Sequence, residues 1–246
     1  MSNNEPIYVL NKTLALYQAP EGFRTSMDSV MLAAACPAHA GESILDMGCG
    51  VGSAGLCAIK RVNGATLTGF DIQSTHIYLA HKNATENNLQ AVFTCADVRD
   101  DLDIGTFNHV ICNPPYLEHG KHLTSPSSAK ATAMGHSDER LNLRVWTTKA
   151  WNHIKAQGSL TMIHDAGKTD EIIHALYGEQ GGKRFGGVEI FPIYSKTGTP
   201  AKRVIIRAWK HKQSPVIIHS GIIMHDDNGT HTKEADDILR HAASLF

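Results

Sequence analysis

The sequence predicts an α/β fold: a doubly wound, mainly parallel sheet with an antiparallel last strand. Three observations carry that expectation. Between about residues 43 and 209, short apolar runs alternate with helix-length amphipathic stretches. The first run, Ile44-Leu45-Asp46, opens into the glycine-rich turn Asp46-Met47-Gly48-Cys49-Gly50-Val51-Gly52 before a helix. The last strand, over 202–209, follows a loop too short for a crossover helix, so it must return antiparallel to its neighbour.

The elements follow in order. An apolar helix starts at Ser29, ahead of the alternating region. Ser53–Arg61 reads as helix, and 65–71, rich in Thr, Leu and Phe, as strand. Ser74 is the expected N-cap of a helix over 75–87. Strands over 91–94 and Phe107–Cys112 come next. Residues 138–156 are helical in period, with Leu141, Val145, Thr148 and Trp151 on one side. A strand over 159–164, a helix over 169–179 and a strand over 188–194 complete the pattern. Residues 117–137, with Gly, Pro, Ser and Lys throughout, form a long surface loop, and such loops are usually functional or disordered. No internal repeat or low-complexity linker divides the chain, so 1–246 reads as one domain.

Composition bounds the function. With 246 residues, 42% hydrophobic and 19% charged, the chain reads as a soluble globular protein. A net charge of -1 excludes a wholesale polycation, so contact with nucleic acid must come from a local basic patch. The five cysteines lack any C-x-x-C pair, which reads as reduced thiols in a cytoplasm. The polar N-terminus carries no signal-peptide pattern, and no apolar run approaches the roughly 20 residues of a membrane span. The expectation is a cytoplasmic protein.

The chemistry gathers at strand ends. Asp46, Asp71, Asp97 and Asn113 close four successive strands, and open sheets of this kind bind ligands beyond those carboxyl ends. Phe107–Cys112 runs straight into Asn113-Pro114-Pro115-Tyr116. An amino nitrogen conjugated to an aromatic ring or carbonyl is a poor nucleophile, because its lone pair is delocalised. A site that methylates it must accept its hydrogens and turn the lone pair toward the methyl donor. Asn113 offers a side-chain carbonyl, Pro114 a backbone carbonyl held rigidly between prolines, and Tyr116 a flat face for stacking. The plain alternative is a tight turn after a strand.

The other strand ends describe a cofactor. Asp71 is placed to grip the two hydroxyls of a ribose, Asp97-Val98 to line an adenine, and the glycine turn to face a carboxylate-bearing tail. That describes S-adenosylmethionine with its methyl toward Asn113. A rival is present: Gly50-Val51-Gly52-Ser53-Ala54-Gly55 satisfies G-x-G-x-x-G, and Asp71 lies near the spacing of a dinucleotide site's ribose acid. Against it, dinucleotide sites usually carry an apolar residue where Asp46 stands, and hydride transfer gives Asn113-Pro114-Pro115-Tyr116 no job. Methyl transfer accounts for both.

These residues resemble the class I S-adenosylmethionine-dependent methyltransferases that carry N-P-P-Y. The segment Gly22-Phe23-Arg24-Thr25-Ser26-Met27-Asp28-Ser29-Val30-Met31-Leu32-Ala33-Ala34 is similar to the N-terminal signature of the bacterial tRNA(Val) adenine N6-methyltransferase family. Lys202-Arg203-Val204-Ile205-Ile206 and Pro215-Val216-Ile217-Ile218-His219 extend the likeness over nearly the whole chain. Cys49 and Val51 depart from the small polar residues common in that turn, changes that should not disturb cofactor binding. The resemblance implies a Rossmann-like class I fold with a cofactor-closing segment over 1–40, a catalytic core over 41–212 and a C-terminal extension over 213–246. It implies a cofactor set of Arg24, Asp28, Asp46, Gly48, Gly50, Gly52, Asp71, Ile72, Asp97, Val98 and Asn113, with Arg24 and Asp28 closing the pocket from the N-terminal side. Asp28 could equally cap the helix starting at Ser29. The catalytic set is Asn113, Pro114, Pro115 and Tyr116, with no metal required.

Between Lys183 and Lys212 the cations Lys183, Arg184, Lys196, Lys202, Arg203, Arg207, Lys210 and Lys212 face one acid, Glu189. This suggests a phosphate-contacting edge, extended by Lys121 and Lys130. The alternative is a solvated strand face, with Arg207 and Lys210 laying their stems over apolar surface. Of fifteen histidines, His119, His122 and His136 cluster in the long loop, but without a zinc spacing, and read as solvated. The expected function is methylation of adenine N6 in RNA, foremost tRNA. Guanine N2 of ribosomal RNA, DNA adenine and a protein glutamine amide pose related problems. A non-catalytic RNA-binding module lies outside that class.

Overall fold

A computed structural model describes residues 5–18, 25–115, 142–177 and 185–246. Arg24, Tyr116, Lys121, Lys130, Lys183, Arg184 and the loop over 117–137 with its three histidines lie outside the described residues.

A small antiparallel hairpin, β1 (Ile7–Val9) and β2 (Leu14–Leu16), precedes helix α1 (Met27–Ala35). Strand and helix then alternate: β3 (Ser43–Met47), α2 (Ser53–Arg61), β4 (Thr66–Asp71), α3 (Ser74–Glu86), β5 (Ala91–Cys95) and β6 (Phe107–Cys112). After α4 (Leu143–His153) come β7 (Ile154–Asp165), α5 (Thr169–Tyr177), β8 (Phe185–Tyr194), β9 (Ala201–Lys210), β10 (Ile217–Ile218), β11 (Ile222–Ile223) and α6 (Lys233–His241). Among the described residues the main sheet has nine strands in the order β10-β8-β9-β7-β6-β3-β4-β5, with β11 also on β8. Strands β3 to β7 pair in parallel, while β9 runs antiparallel to both β7 and β8. The expected fold class is therefore present. Its antiparallel strand is wedged between two partners, and two short parallel strands follow it.

Alternation along the strands builds a core on each face of the sheet. Ile44, Leu67, Ile111, Ile163 and Ile205 join the cluster that includes α1, α2, α3 and α6. Leu45, Met47, Val110, Met162 and Ile206 join the other, beneath α4 and α5. Among the described residues no helix is long and apolar enough to cross a membrane.

Three sequence expectations are corrected at element ends. Ser26, not Asp28, caps α1, accepting from the Asp28 N–H; Asp28 lies inside the first turn. Gln73 stands at the N-cap of α3 without a side-chain bond, so Ser74 is already helical. Residues 154–156 are strand rather than helix: Ile154, fully buried, pairs with Phe107, and the ladder resumes at Ser159 opposite His109. In the bulge between them Gln157 takes φ 63, and a Cβ on Gly158 would lie 2.3 Å from the Asn108 carbonyl.

Candidate active site

The strand order reverses between β3 and β6, and their carboxyl ends lie side by side, with Met47 paired to Cys112. Each strand therefore delivers its last residues to one crevice: the glycine turn from β3, Asn113-Pro114-Pro115 from β6 and Asp71 from β4. Asn113 is half-buried, Pro114 buried and Pro115 exposed.

The glycine turn is shaped by its residue types. Gly48, Gly50 and Gly52 sit at φ 67, 54 and 83, in the left-handed region that penalises a side chain. A Cβ on Gly48 would also lie 2.7 Å from the Trp146 ring. Gly50 differs: nothing lies within 4 Å of the position a Cβ would take, so its backbone borders open space. The turn is tied back by the Cys49 N–H on the Phe70 carbonyl and the Gly52 N–H on the Cys49 carbonyl, both at 2.9 Å.

Two acids brace this turn. Asp46, 2% exposed, accepts the Gly55 N–H at 2.9 Å, satisfying a donor in the first turn of α2 that the helix itself leaves open. Burial pushes its carboxyl up to about 7, with the Asp71 charge adding and the Gly55 N–H opposing. Asp71 accepts from the N–H groups of Gly50 and Gln73, each at 2.9 Å, with the His76 imidazole 3.6 Å away. Burial opposes its ionisation, but those donors and the facing imidazole outweigh it and hold the carboxyl below the ordinary range. Ile72, beside Asp71, is 52% exposed. Just past the end of β5, Asp97 takes a forked contact from Arg99, and Val98 is buried.

The N-terminal segment crosses the same edge. Thr25 shares a hydroxyl contact with Ser53 at the start of α2. Asp28, buried, accepts from Arg203 Nε at 3.1 Å, and Arg203 Nη1 reaches Asp165 at the end of β7 at 3.3 Å. Arg203 thus links the N-terminal segment to β7. Lys196 and Lys202 are exposed at the β8–β9 turn. Arg207, by contrast, is 7% exposed and forked onto Glu189, which also receives the Trp209 N–H. Lys210 donates to the carbonyls of Trp151 and Ile154. Arg207 is thus buried within the sheet, and Lys210 is half-buried against internal carbonyls.

Sequence reading missed Asn83 and Asn87. Asn83 on α3 and Asn87 at its C-cap, one turn apart, read the backbone of β2 and the residue after it as a neighbouring strand would: Asn83 exchanges bonds with Tyr17 at 2.7 and 3.1 Å, and Asn87 with Ala15 at 2.8 and 2.7 Å. Asn83 also donates to the Val51 carbonyl at 2.9 Å, joining the hairpin to the glycine turn. An Asn pair at i, i+4 on an otherwise apolar helix face was the available signal. His76 was missed as well.

The methyltransferase small domain family model matches residues 24–168, more than half of the chain. The chain belongs to the methyltransferase small domain family. S-adenosylmethionine is the cofactor of this domain, and the residues present fit it: open space over Gly50, an ionised acid at the end of β4 and an exposed apolar side chain beside it. Among curated relatives, a tRNA1(Val) (adenine(37)-N6)-methyltransferase from Vibrio campbellii is 32% identical over 129 residues, 52% of this chain and 53% of that protein. A ribosomal RNA small subunit methyltransferase C from Aeromonas hydrophila is 31% identical over 140 residues, 57% of this chain and 36% of that protein. The matches thus span about half the length of these relatives, or less. A predicted O-methyltransferase from Agrobacterium tumefaciens shares the fold with TM-score 0.71 at 24% identity, covering 89% of this chain and 98% of that one. So does a T. Thermophilus 16S rRNA N2 G1207 methyltransferase, with TM-score 0.52 at 14% identity over 80% of this chain and 47% of that one. Among the described residues no group of three or more His, Cys, Asp or Glu could hold a metal ion.

Proposed function

We propose that this methyltransferase-family chain transfers a methyl group to an exocyclic amino nitrogen of RNA, and that the substrate is adenine N6 in a tRNA. The observation that carries the reading is Asn113-Pro114-Pro115 at the end of β6, beside the glycine turn where strand order reverses. When bound, S-adenosylmethionine supplies an electrophilic methyl on sulfur. Asn113 Oδ1 and the Pro114 carbonyl accept the two amino hydrogens and turn the nitrogen lone pair toward that methyl. Transfer would form the nitrogen–carbon bond as the carbon–sulfur bond breaks, with S-adenosylhomocysteine as the leaving group and the amino proton passing to solvent. Tyr116 stacks on the base, which must leave its own stack to reach the pocket. Alignment of this kind supplies up to roughly 7–11 kcal/mol of barrier lowering.

Asp71 and Ile72 hold ribose and adenine, Asp97 and Val98 the far side of the adenine, and Gly48, Gly50 and Gly52 the amino-acid tail. Asp46 acts from behind by holding α2. Arg24 and Asp28, in the segment over 1–40, close the pocket over the core, with 213–246 an extension of the same domain. Lys121, Lys183, Arg184, Lys196, Lys202 and Arg203 contact RNA phosphates, Arg203 while also bridging Asp28 and Asp165. Five free thiols suit action in the cytoplasm. Ribosomal RNA, with guanine N2 as the target, is the second reading; the name of the Aeromonas hydrophila relative favours ribosomal RNA as the substrate. Transfer of labelled methyl to RNA lacking the modification, with digestion to nucleosides and mass spectrometry, distinguishes the two by which nucleoside gains the label.

A further inference from the structure

Behind Asp71 stands a buried group that the reading above leaves without a job. His76, the third residue of α3, is 6% exposed, and its Nδ1 has no hydrogen-bond partner. A polar ring nitrogen shut away from water and left unmatched is unfavourable, so its place calls for a reason. What this nitrogen faces is Asp71 Oδ1, at 3.6 Å. That is ion-pair reach but beyond the roughly 3.2 Å of an N–H···O hydrogen bond. Oδ1 already accepts the Gln73 N–H, while Oδ2 accepts the Gly50 N–H at the turn that borders open space.

We propose that His76 is a positioning residue for cofactor binding, donating from Nδ1 to Asp71 Oδ1 when Asp71 Oδ2 takes a ribose hydroxyl. The inference rests on the reading of Asp71 as the ribose-binding acid. A carboxylate has about four acceptor sites. Gln73 and His76 together fill those of Oδ1 from inside the protein and fix the carboxylate plane; the Gly50 N–H takes one of those of Oδ2, which leaves one acceptor site for a ribose hydroxyl. A movement of a few tenths of an ångström brings the 3.6 Å approach into bonding range, and a ribose hydroxyl drawing Oδ2 outward reorients the group. Histidine suits this place because its Nδ1 sits close to its own backbone on a rigid ring at the start of a helix.

The test is isothermal titration of the full chain with two probes: S-adenosylhomocysteine and its 2′,3′-dideoxyribose analogue. His76→Ala is expected to raise Kd for S-adenosylhomocysteine about tenfold, the scale of one hydrogen bond to a charged group, while leaving Kd for the analogue within about twofold. His76→Asn, whose amide nitrogen takes the place of Nδ1, is expected to restore binding. If His76→Ala does not fold, His76→Gln keeps bulk but moves the donor outward, and should show the same selective loss. Equal loss for both probes, or none, would overturn the role of His76 while leaving Asp71 as the ribose acid. A wild-type chain that binds both probes equally would overturn the ribose reading of Asp71, and this inference with it.

Discussion

At the carboxyl ends of β3 and β6, Asp46 braces the glycine turn and Asn113 is proposed to accept the amino group, and substitution can separate these roles. Asn113→Ala removes the amide oxygen proposed to accept an amino hydrogen. Turnover should fall about 10²-fold or more, the scale of one lost transition-state hydrogen bond, while calorimetry finds cofactor Kd within about threefold of wild type. Undiminished turnover would contradict the role. Asp46 makes a pH prediction. Its folded pKa, about 7, lies above its unfolded value, so its contribution is fully present below about pH 4 and is lost as pH rises toward 7. Asp46→Asn keeps an acceptor for the Gly55 N–H but does not titrate. Wild type should therefore lose stability relative to this variant between pH 5 and pH 8 in denaturant midpoints; a constant difference would contradict the buried-acid account. At this scale the places of Asp46, Asp71, Asp97 and Asn113 at or just past the carboxyl ends of β3, β4, β5 and β6 were legible, since each closes an apolar run. That Asp46 faces inward to α2 was not, because strand pattern alone does not say which neighbour a buried carboxylate meets. His76 was illegible for the same reason: its partner lies on another element.

Among the elements, the N-terminal hairpin depends on side chains of α3. Asn83→Ala leaves backbone groups of Tyr17 and the Val51 carbonyl without their partner, and each buried unsatisfied group costs about 1–3 kcal/mol. The loss should reach about 2–4 kcal/mol in chemical denaturation, with faster amide exchange across 14–17; an effect under about 0.5 kcal/mol would mean the hairpin holds itself. Helix and strand identities followed from periodicity, and Ser53–Arg61 and Phe107–Cys112 matched to the residue. The boundary at Ile154 did not, because its apolar side chain continues the helical period of α4 while its backbone already pairs with Phe107. A long-range ladder won over a local pattern there. The wedging of β9 between β7 and β8 was likewise invisible, since a short connection fixes direction but not which further strand is met.

Across the whole molecule, charge is nearly balanced, at -1 over 246 residues, so the proposed RNA binding rests on local cations. The one-sided stretch read from sequence divides in two: Arg207 and Lys210 are bound to internal partners, while Lys196 and Lys202 stand exposed. Replacing both exposed lysines with Gln should weaken tRNA binding and lower the slope of log K against log salt by up to about 2. An unchanged slope would mean they are solvated only. The central claim is the amino-group chemistry on RNA, and methyl transfer tests it most directly. Labelled S-adenosylmethionine, this chain and total tRNA lacking the modification would be incubated, then digested for nucleoside mass spectrometry. The account predicts label in N6-methyladenosine. Demonstrable cofactor binding with no label in any tRNA nucleoside would contradict it.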